Sequence, residues 1–173
     1  MTQRAIDVRR ALDEERPAVA RTLAERWGST QIVSRGRVHD AEIAEVFVAV
    51  RDGAVVGSAT FVVGGDEAEL LTLDSLEEGA GVGSALVEAV VRAATSARAT
   101  QLVVSTTNDN LHALGFYQRR GFRLMELLPG SVDRARRLKP SIPFVGASGI
   151  PIRDELVLVR DLAAVGGDLG DVH

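Results

Sequence analysis

The stretch Ser75 to Ala94, SLEEGAGVGSALVEAVVRAA, sets three glycines, Gly79, Gly81 and Gly83, at the start of a helical pattern. The first four N–H groups of a helix lack intrahelical partners and carry about half a unit of positive charge. Glycines beside them let a bulky anion reach the backbone. The spacing describes an anion cradle made of peptide N–H groups. No Lys or Arg stands in the glycine run, and Glu77 and Glu78 precede it. A nucleoside-triphosphate loop needs GxxxxGK[ST], so that chemistry is excluded. Three readings fit the glycines: a tight strand-to-helix turn with small residues for packing, a dinucleotide fingerprint one residue away from GxGxxG/A, and a coenzyme A diphosphate loop.

The elements around the loop separate these readings. Ile6–Arg9 reads as a strand and Asp13–Trp27 as a helix stopped by Gly28. The stretch STQIVSRGRVHD has no clear period and reads as a long loop with a strand fragment. Ala44–Val50 and AVVGSATFVV are β-rich runs joined at Asp52-Gly53, a strong hairpin signal. Glu67–Leu73 is the fourth strand, and its alternation puts Glu69, Leu71 and Leu73 on one face and Thr72 and Asp74 on the other. A helix from Val82, with Leu86, Ala89, Val90 and Ala93 on its apolar face, leads to a fifth strand, Gln101–Ser105, as a parallel crossover. A helix over Asn108–Arg120, a strand over Phe122–Leu128, a charged helix at SVDRARRLKP with a solvated face, a Gly/Pro-rich loop and a strand over Glu155–Arg160 complete the chain. The fold class is α+β, a mixed sheet with flanking helices. A dinucleotide fold would place the loop after the first strand and end the next strand in an acidic residue. Here an antiparallel hairpin precedes the loop, and the next strand ends in Ser105-Thr106-Thr107.

Composition narrows the classes further. The 173 residues suit a single domain, expected over 1–163 with a fraying tail at 164–173. Net charge of -4 argues against general nucleic-acid binding. No apolar run approaches the ~18 residues of a membrane span. MTQRAIDVRR lacks the apolar core of a signal peptide, so a cytoplasmic location is expected. With no cysteine, disulfide and thiol chemistry are excluded, and His39, His112 and His173 lack metal-ligand spacing, so no metal is expected.

The chain resembles the GNAT N-acyltransferases, which use acetyl-CoA. Leu71-Thr72-Leu73 followed by Glu78-Gly79-Ala80-Gly81-Val82-Gly83 resembles that family's strand and Q/R-x-x-G-x-G/A loop. Asn110-Leu-His-Ala113-Leu-Gly-Phe116-Tyr117-Gln-Arg-Arg-Gly121-Phe122 is similar to its second signature, N-x-x-A-x-x-F/L-Y-x-x-x-G-F. The resemblance covers roughly Ile6 to Leu128. It implies a mostly antiparallel sheet splayed between the fourth and fifth strands, with the pantetheine arm of acetyl-CoA in the gap. It implies cofactor contacts at Leu71, Thr72, Leu73, the loop Glu78 to Ser84, Asn108, Asn110 and Tyr117. It implies Tyr117 as the acid at the leaving sulfur and Glu69 as the base, acting through water. Two positions depart from the family: Glu78 replaces Gln or Arg, and Ala80 stands where Arg or Lys is common, so backbone N–H groups must carry more of the diphosphate. The acceptor expected is a small-molecule or peptide amine, with Arg35, Arg37, His39 and Arg153 as candidate contacts. The chain is expected to act without nucleic acid or membrane, as a monomer or homodimer. A non-catalytic acyl-CoA-binding module of the same fold is the alternative, and a dinucleotide-binding domain a more distant one.

Overall fold

The computed structural model describes residues 5–162; the expected tail at 164–173 lies outside them. Strand β1 (Asp7–Arg10) leads to helix α1 (Arg16–Trp27), which Gly28 closes in the left-handed conformation. A hairpin follows, β2 (Gln31–Ser34) and β3 (Arg37–Asp40). Next come β4 (Glu45–Arg51), β5 (Ala54–Gly64), β6 (Glu67–Ser75), α2 (Val82–Ser96) and β7 (Gln101–Thr107). Helix α3 (Leu111–Gln118), β8 (Arg123–Leu128), α4 (Ser131–Leu138) and β9 (Glu155–Asp161) end the described chain. The main sheet runs β1-β4-β5-β6-β7-β9-β8, and β6–β7 is its one parallel pair among the described residues. The expected fourth and fifth strands are thus β6 and β7, because the β2–β3 hairpin adds two.

That hairpin corrects the reading of STQIVSRGRVHD as a loop. Ser34 pairs with Arg37 around a two-residue turn in which Arg35 (φ 51°) and Gly36 (φ 74°) are both left-handed. The expected Asp52-Gly53 hairpin has the same backbone, with φ of 51° and 79°. Both turns twist as the strands require, but Arg-Gly is a far weaker sequence signal than Asp-Gly.

The sheet is covered on both faces. Along β4, Val46 and Val48 point to a core with Val19 and Leu23 of α1, while Phe47 and Ala49 point to a core with Val82, Leu86, Val87, Val90 and Ala94 of α2. Helix α2 lies so close to β5 that a Cβ on Gly57 would fall 2.6 Å from Val82 Cγ1 and 2.8 Å from the Asp74 carbonyl oxygen. Helix α3 shares the α2 face through Ala113, Leu114, Phe116 and Tyr117.

Two further expectations are corrected. In β6, Thr72 pairs with Thr60 and Leu70 with Phe61, so Leu71 is the extra residue of a bulge. A bulge resets alternation. Leu73 therefore joins the α2 core, while Leu71 packs on the α1 core and Asp74 bonds Trp27 of α1. Helix α4 is not simply a solvated charged face. Arg136 is buried and donates to the carbonyls of Ile142, Pro143 and Ile152, so it anchors the 140–154 segment.

Candidate active site

β6 and β7 pair from Glu67↔Gln101 to Leu70↔Val104 and then part. Beyond that point Leu71 is unpaired on the β5 side as well. The backbone edge of β6 from Leu71 onward is open toward β7, which lets an extended chain with amide groups bond to it as an added strand. Thr72 is held underneath, its Oγ1 2.7 Å from Thr60 Oγ1.

The glycine loop stands at the end of this gap. Gly79 (φ 71°) and Gly81 (φ 78°) are left-handed, with open space where a Cβ would point. Gly81 is the N-cap of α2 and no side chain caps the helix, so the N–H groups of Val82, Gly83 and Ser84 are the unpaired donors of its first turn. Val82 is buried, and Ala80 packs at the margin of the α2 core. Gly83 has a packing role: a Cβ there would lie 3.1 Å from Phe116 Cζ. The two glutamates before the loop differ. Glu77 is ion-paired with Arg51, whereas Glu78 is exposed and has no bonded partner among the described residues. The arrangement fits a diphosphate received by peptide N–H groups.

Two of the expected site residues belong to α3 and its cap. Asn110, outside the helix proper, caps it by accepting from the Ala113 N–H at 3.0 Å, and its side-chain amide remains exposed. Tyr117 is buried between Phe116 and Phe122, with both rings edge-on to it at 5.3 and 5.4 Å. Burial, and then the nearby Asp74 charge, hold its hydroxyl above the ordinary phenol pKa. Asn108 lies in the turn before α3, not in the helix, and its side chain ties that turn to residues 151–154. It accepts from Arg153 N and Asp154 N and donates to Pro151 O.

The opposite face carries a side-chain network. Ser34 Oγ donates to Glu69 Oε1 at 2.5 Å and lies 2.7 Å from Ser105 Oγ, the first β7 residue past the parting point. Glu69 is 4% exposed. Arg35 Nη1 bonds Glu67 at 2.8 Å and approaches Glu69 at 3.8 Å, and the Arg35 N–H donates to Glu155. The buried Nε2 of His39 has no hydrogen bond among the described residues and lies 3.8 Å from Glu69 Oε2. Asp74 accepts from Trp27 Nε1 at 3.0 Å and from Arg26, and its burial raises its pKa. The 140–154 segment closes this side. Lys139 Nζ caps the α1 carbonyl of Trp27, and Gly146 rests on Asp109, where a Cβ would overlap Asp109 Oδ2. Arg37 and Arg153 are exposed, and among the described residues neither side chain is bonded.

Leu73, Ala80, Val82 and Tyr117 thus share the α2 side, with Gly79–Ser84 at the start of that helix and Asn110 capping α3, whereas the Leu71 side chain lies on the α1 side, the face on which Glu69, Arg35 and His39 meet. Sequence reasoning passed over Ser34, Ser105, Arg120 and Arg136. Arg120 was within reach, because it stands four residues after Phe116, in the turn that ends α3. The serines carried no signal, since their meaning lies in partners far along the chain. Among the described residues no group of three or more His, Asp or Glu is placed to hold a metal, and no helix is long and apolar enough to cross a membrane.

Comparison with known proteins identifies the family. The acetyltransferase (GNAT) family profile matches residues 9–122. A protein of Bacillus subtilis (strain 168), YxbD, described as uncharacterized, is 40% identical over 137 residues, covering 79% of this chain and 86% of its own. An IAA acetyltransferase from Bacillus cereus ATCC 14579 superposes with a TM-score of 0.68 at 21% identity, over 91% of this chain and 100% of its own. A Bacillus subtilis acetyltransferase in complex with CoA superposes with a TM-score of 0.65 at 18% identity, over 91% and 98%. With the matched segment running from β1 through the loop and α3 to Phe122, the chain belongs to the acetyltransferase (GNAT) family.

Proposed function

We propose that this protein transfers an acetyl group from acetyl-CoA to an amine by direct attack. One observation carries the reading: β6 and β7 part after Leu70 and Val104, and β6 runs on through the glycine loop into the uncapped N-terminus of α2. The open β6 edge receives amide groups, and the N–H groups of Val82, Gly83 and Ser84 receive a diphosphate. Asn110, with its exposed amide, flanks the chain between them.

Acetyl-CoA supplies an activated thioester carbonyl, and attack by a neutral amine forms the C–N bond while the C–S bond breaks. Tyr117 keeps its proton through the physiological range, because burial raises its pKa, and gives it to the departing sulfur. The amine proton leaves on the other face. Ser105 and Ser34 form a hydroxyl path to Glu69, where the family resemblance implies an intervening water. Arg35 and His39 border Glu69 and restrain its carboxylate. The amine acceptor approaches between the β2–β3 hairpin and the 140–154 segment, where exposed Arg37 and Arg153 can meet an anionic group. Arg35 is already ion-paired and serves the site by holding Glu67 and Glu69.

The test is release of free CoA thiol from acetyl-CoA against a panel of amines, alongside calorimetry of CoA binding. CoA binding with amine-dependent thiol release is the expected result. Binding without turnover of any amine would leave the non-catalytic CoA module. Binding of NAD in place of CoA would revive the dinucleotide reading.

A further inference from the structure

The diphosphate cradle contains no cation of its own. Glu78 and Ala80 stand where a basic or amide side chain would assist it, and Arg51, which reaches the loop, is neutralised by Glu77. A cation nonetheless lies at the first turn of α2. Arg120, in the turn just past α3, donates through Nε to Ser84 Oγ at 3.0 Å and through Nη2 to the same oxygen. Ser84 is the third residue of α2, so the guanidinium sits beside the helix's unpaired N–H groups.

Its position is over-determined. The Arg120 Cζ lies 3.4 Å from the centre of the Phe116 ring, and Nη1 donates to the Phe116 carbonyl at 2.9 Å. The Phe116 ring in turn occupies the space that Gly83 leaves by lacking a Cβ. Gly83, Phe116 and Arg120 form one stack from the backbone of the cradle to a charged fork. Arg120 makes no ion pair among the described residues; Glu88, whose charge it feels, is bonded to Arg160. A pre-placed guanidinium with no ion-pair partner among the described residues, at the first turn of α2, matches phosphate oxygens in charge and in geometry.

We infer that Arg120 supplies the side-chain cation of the diphosphate site, replacing from α3 what the loop lacks at positions 78 and 80. The inference rests on the acetyl-CoA reading above. The experiment is calorimetry of wild type, Arg120→Met and Arg120→Lys with three ligands: CoA, dephospho-CoA and pantetheine, which lacks the diphosphate. Arg120→Met keeps an apolar stem on Phe116 and should weaken CoA and dephospho-CoA alike, by about tenfold, while leaving pantetheine unchanged. Arg120→Lys, which keeps charge but not the fork, should lose about two- to fivefold. Equal CoA affinity in wild type and Arg120→Met overturns the assignment while the acetyl-CoA reading stands. A loss confined to CoA would move the contact to the 3′-phosphate and overturn it as well. An equal loss for pantetheine would make Arg120 a packing residue. Should Arg120→Met fail to fold, Arg120→Lys carries the same three-ligand comparison. A wild-type protein that binds no CoA sinks the underlying reading itself.

Discussion

The two sides of the gap are held by different kinds of bond. On the α2 side the groups proposed to receive the cofactor are mostly backbone: the open edge of β6 and the N–H groups of Val82 to Ser84, presented by one continuous stretch of chain, with Arg120 as the added side chain. On the hairpin side they are side chains, joined across long separations. Ser34 meets Glu69 and Ser105 over 35 and 71 residues, the Arg35 N–H meets Glu155 over 120, and Lys139 meets Trp27 over 112. Backbone recognition tolerates substitution, because every residue but proline carries the same donor and acceptor. A side-chain network does not, because a missing partner leaves a buried polar group unsatisfied. The α2 side is therefore suited to a constant ligand, and the hairpin side to setting which amine is accepted.

Tyr117 tests that contrast most severely, being a side chain on the backbone side. Tyr117→Phe retains the ring between Phe116 and Phe122 and removes the hydroxyl alone. We expect kcat to fall by ~10²-fold, the low end for acid–base catalysis because thiolate leaves tolerably well unprotonated. Affinity for acetyl-CoA should stay nearly constant, the mark of an interaction made in the transition state. The sign of the pH effect follows from burial. An acid works while protonated, and Tyr117 has its pKa raised, so no alkaline limb from this residue should enter the kcat profile below ~10. A limb near neutral pH that vanishes in Tyr117→Phe would contradict that environment.

Glu69 is the matching test on the hairpin side. Glu69→Gln keeps the shape and the bond to Ser34 but cannot take a proton. We expect kcat to fall by roughly 10- to 30-fold, less than for Tyr117 because solvent can also accept the amine proton. Ser34→Ala and Ser105→Ala should each give part of this loss, and the double variant no more than Glu69→Gln. Full activity in both serine variants would remove the hydroxyl path.

How much of this was legible follows the same division. The glycine loop, its helix and the Asn110-to-Phe122 signature are local in sequence, and local patterns report backbone geometry. The β2–β3 hairpin escaped because Arg35-Gly36 adopts a turn that sequence reasoning assigns to Asn-Gly or Asp-Gly. The face of Leu73 was misread because one unpaired residue, Leu71, resets the alternation, and nothing in LLTL marks the bulge. Arg136 looked solvated because RARRL is charged all round; its burial depends on carbonyls of residues 142, 143 and 152 folding back over it.

Arg136 therefore separates the stability of the acceptor wall from that of the cofactor wall. Arg136→Met leaves three carbonyls without a donor on a segment that borders the hairpin side. We expect a loss of roughly 2 kcal/mol, about 4–8 °C in Tm, and a severalfold rise in acceptor KM. CoA affinity by calorimetry should not change. An equal weakening of CoA would show that the 140–154 segment supports both walls.

The smallest effect is expected at Glu78, the one uncompensated carboxylate of the glycine loop. Glu77 is paired with Arg51, so its charge is already neutralised, and only Glu78 opposes a diphosphate held by the α2 N–H groups. Because Glu78 is exposed, solvent screens the repulsion and limits its size. Glu78→Gln should tighten CoA by about two- to fivefold without altering Tm. Pantetheine affinity should be untouched, since the carboxylate acts on charge that pantetheine lacks. The gain should shrink as salt rises, in the manner of any exposed charge pair. Weaker CoA binding in Glu78→Gln would show that the carboxylate makes a specific favourable contact in the complex, and that the loop recognises its ligand through a side chain after all.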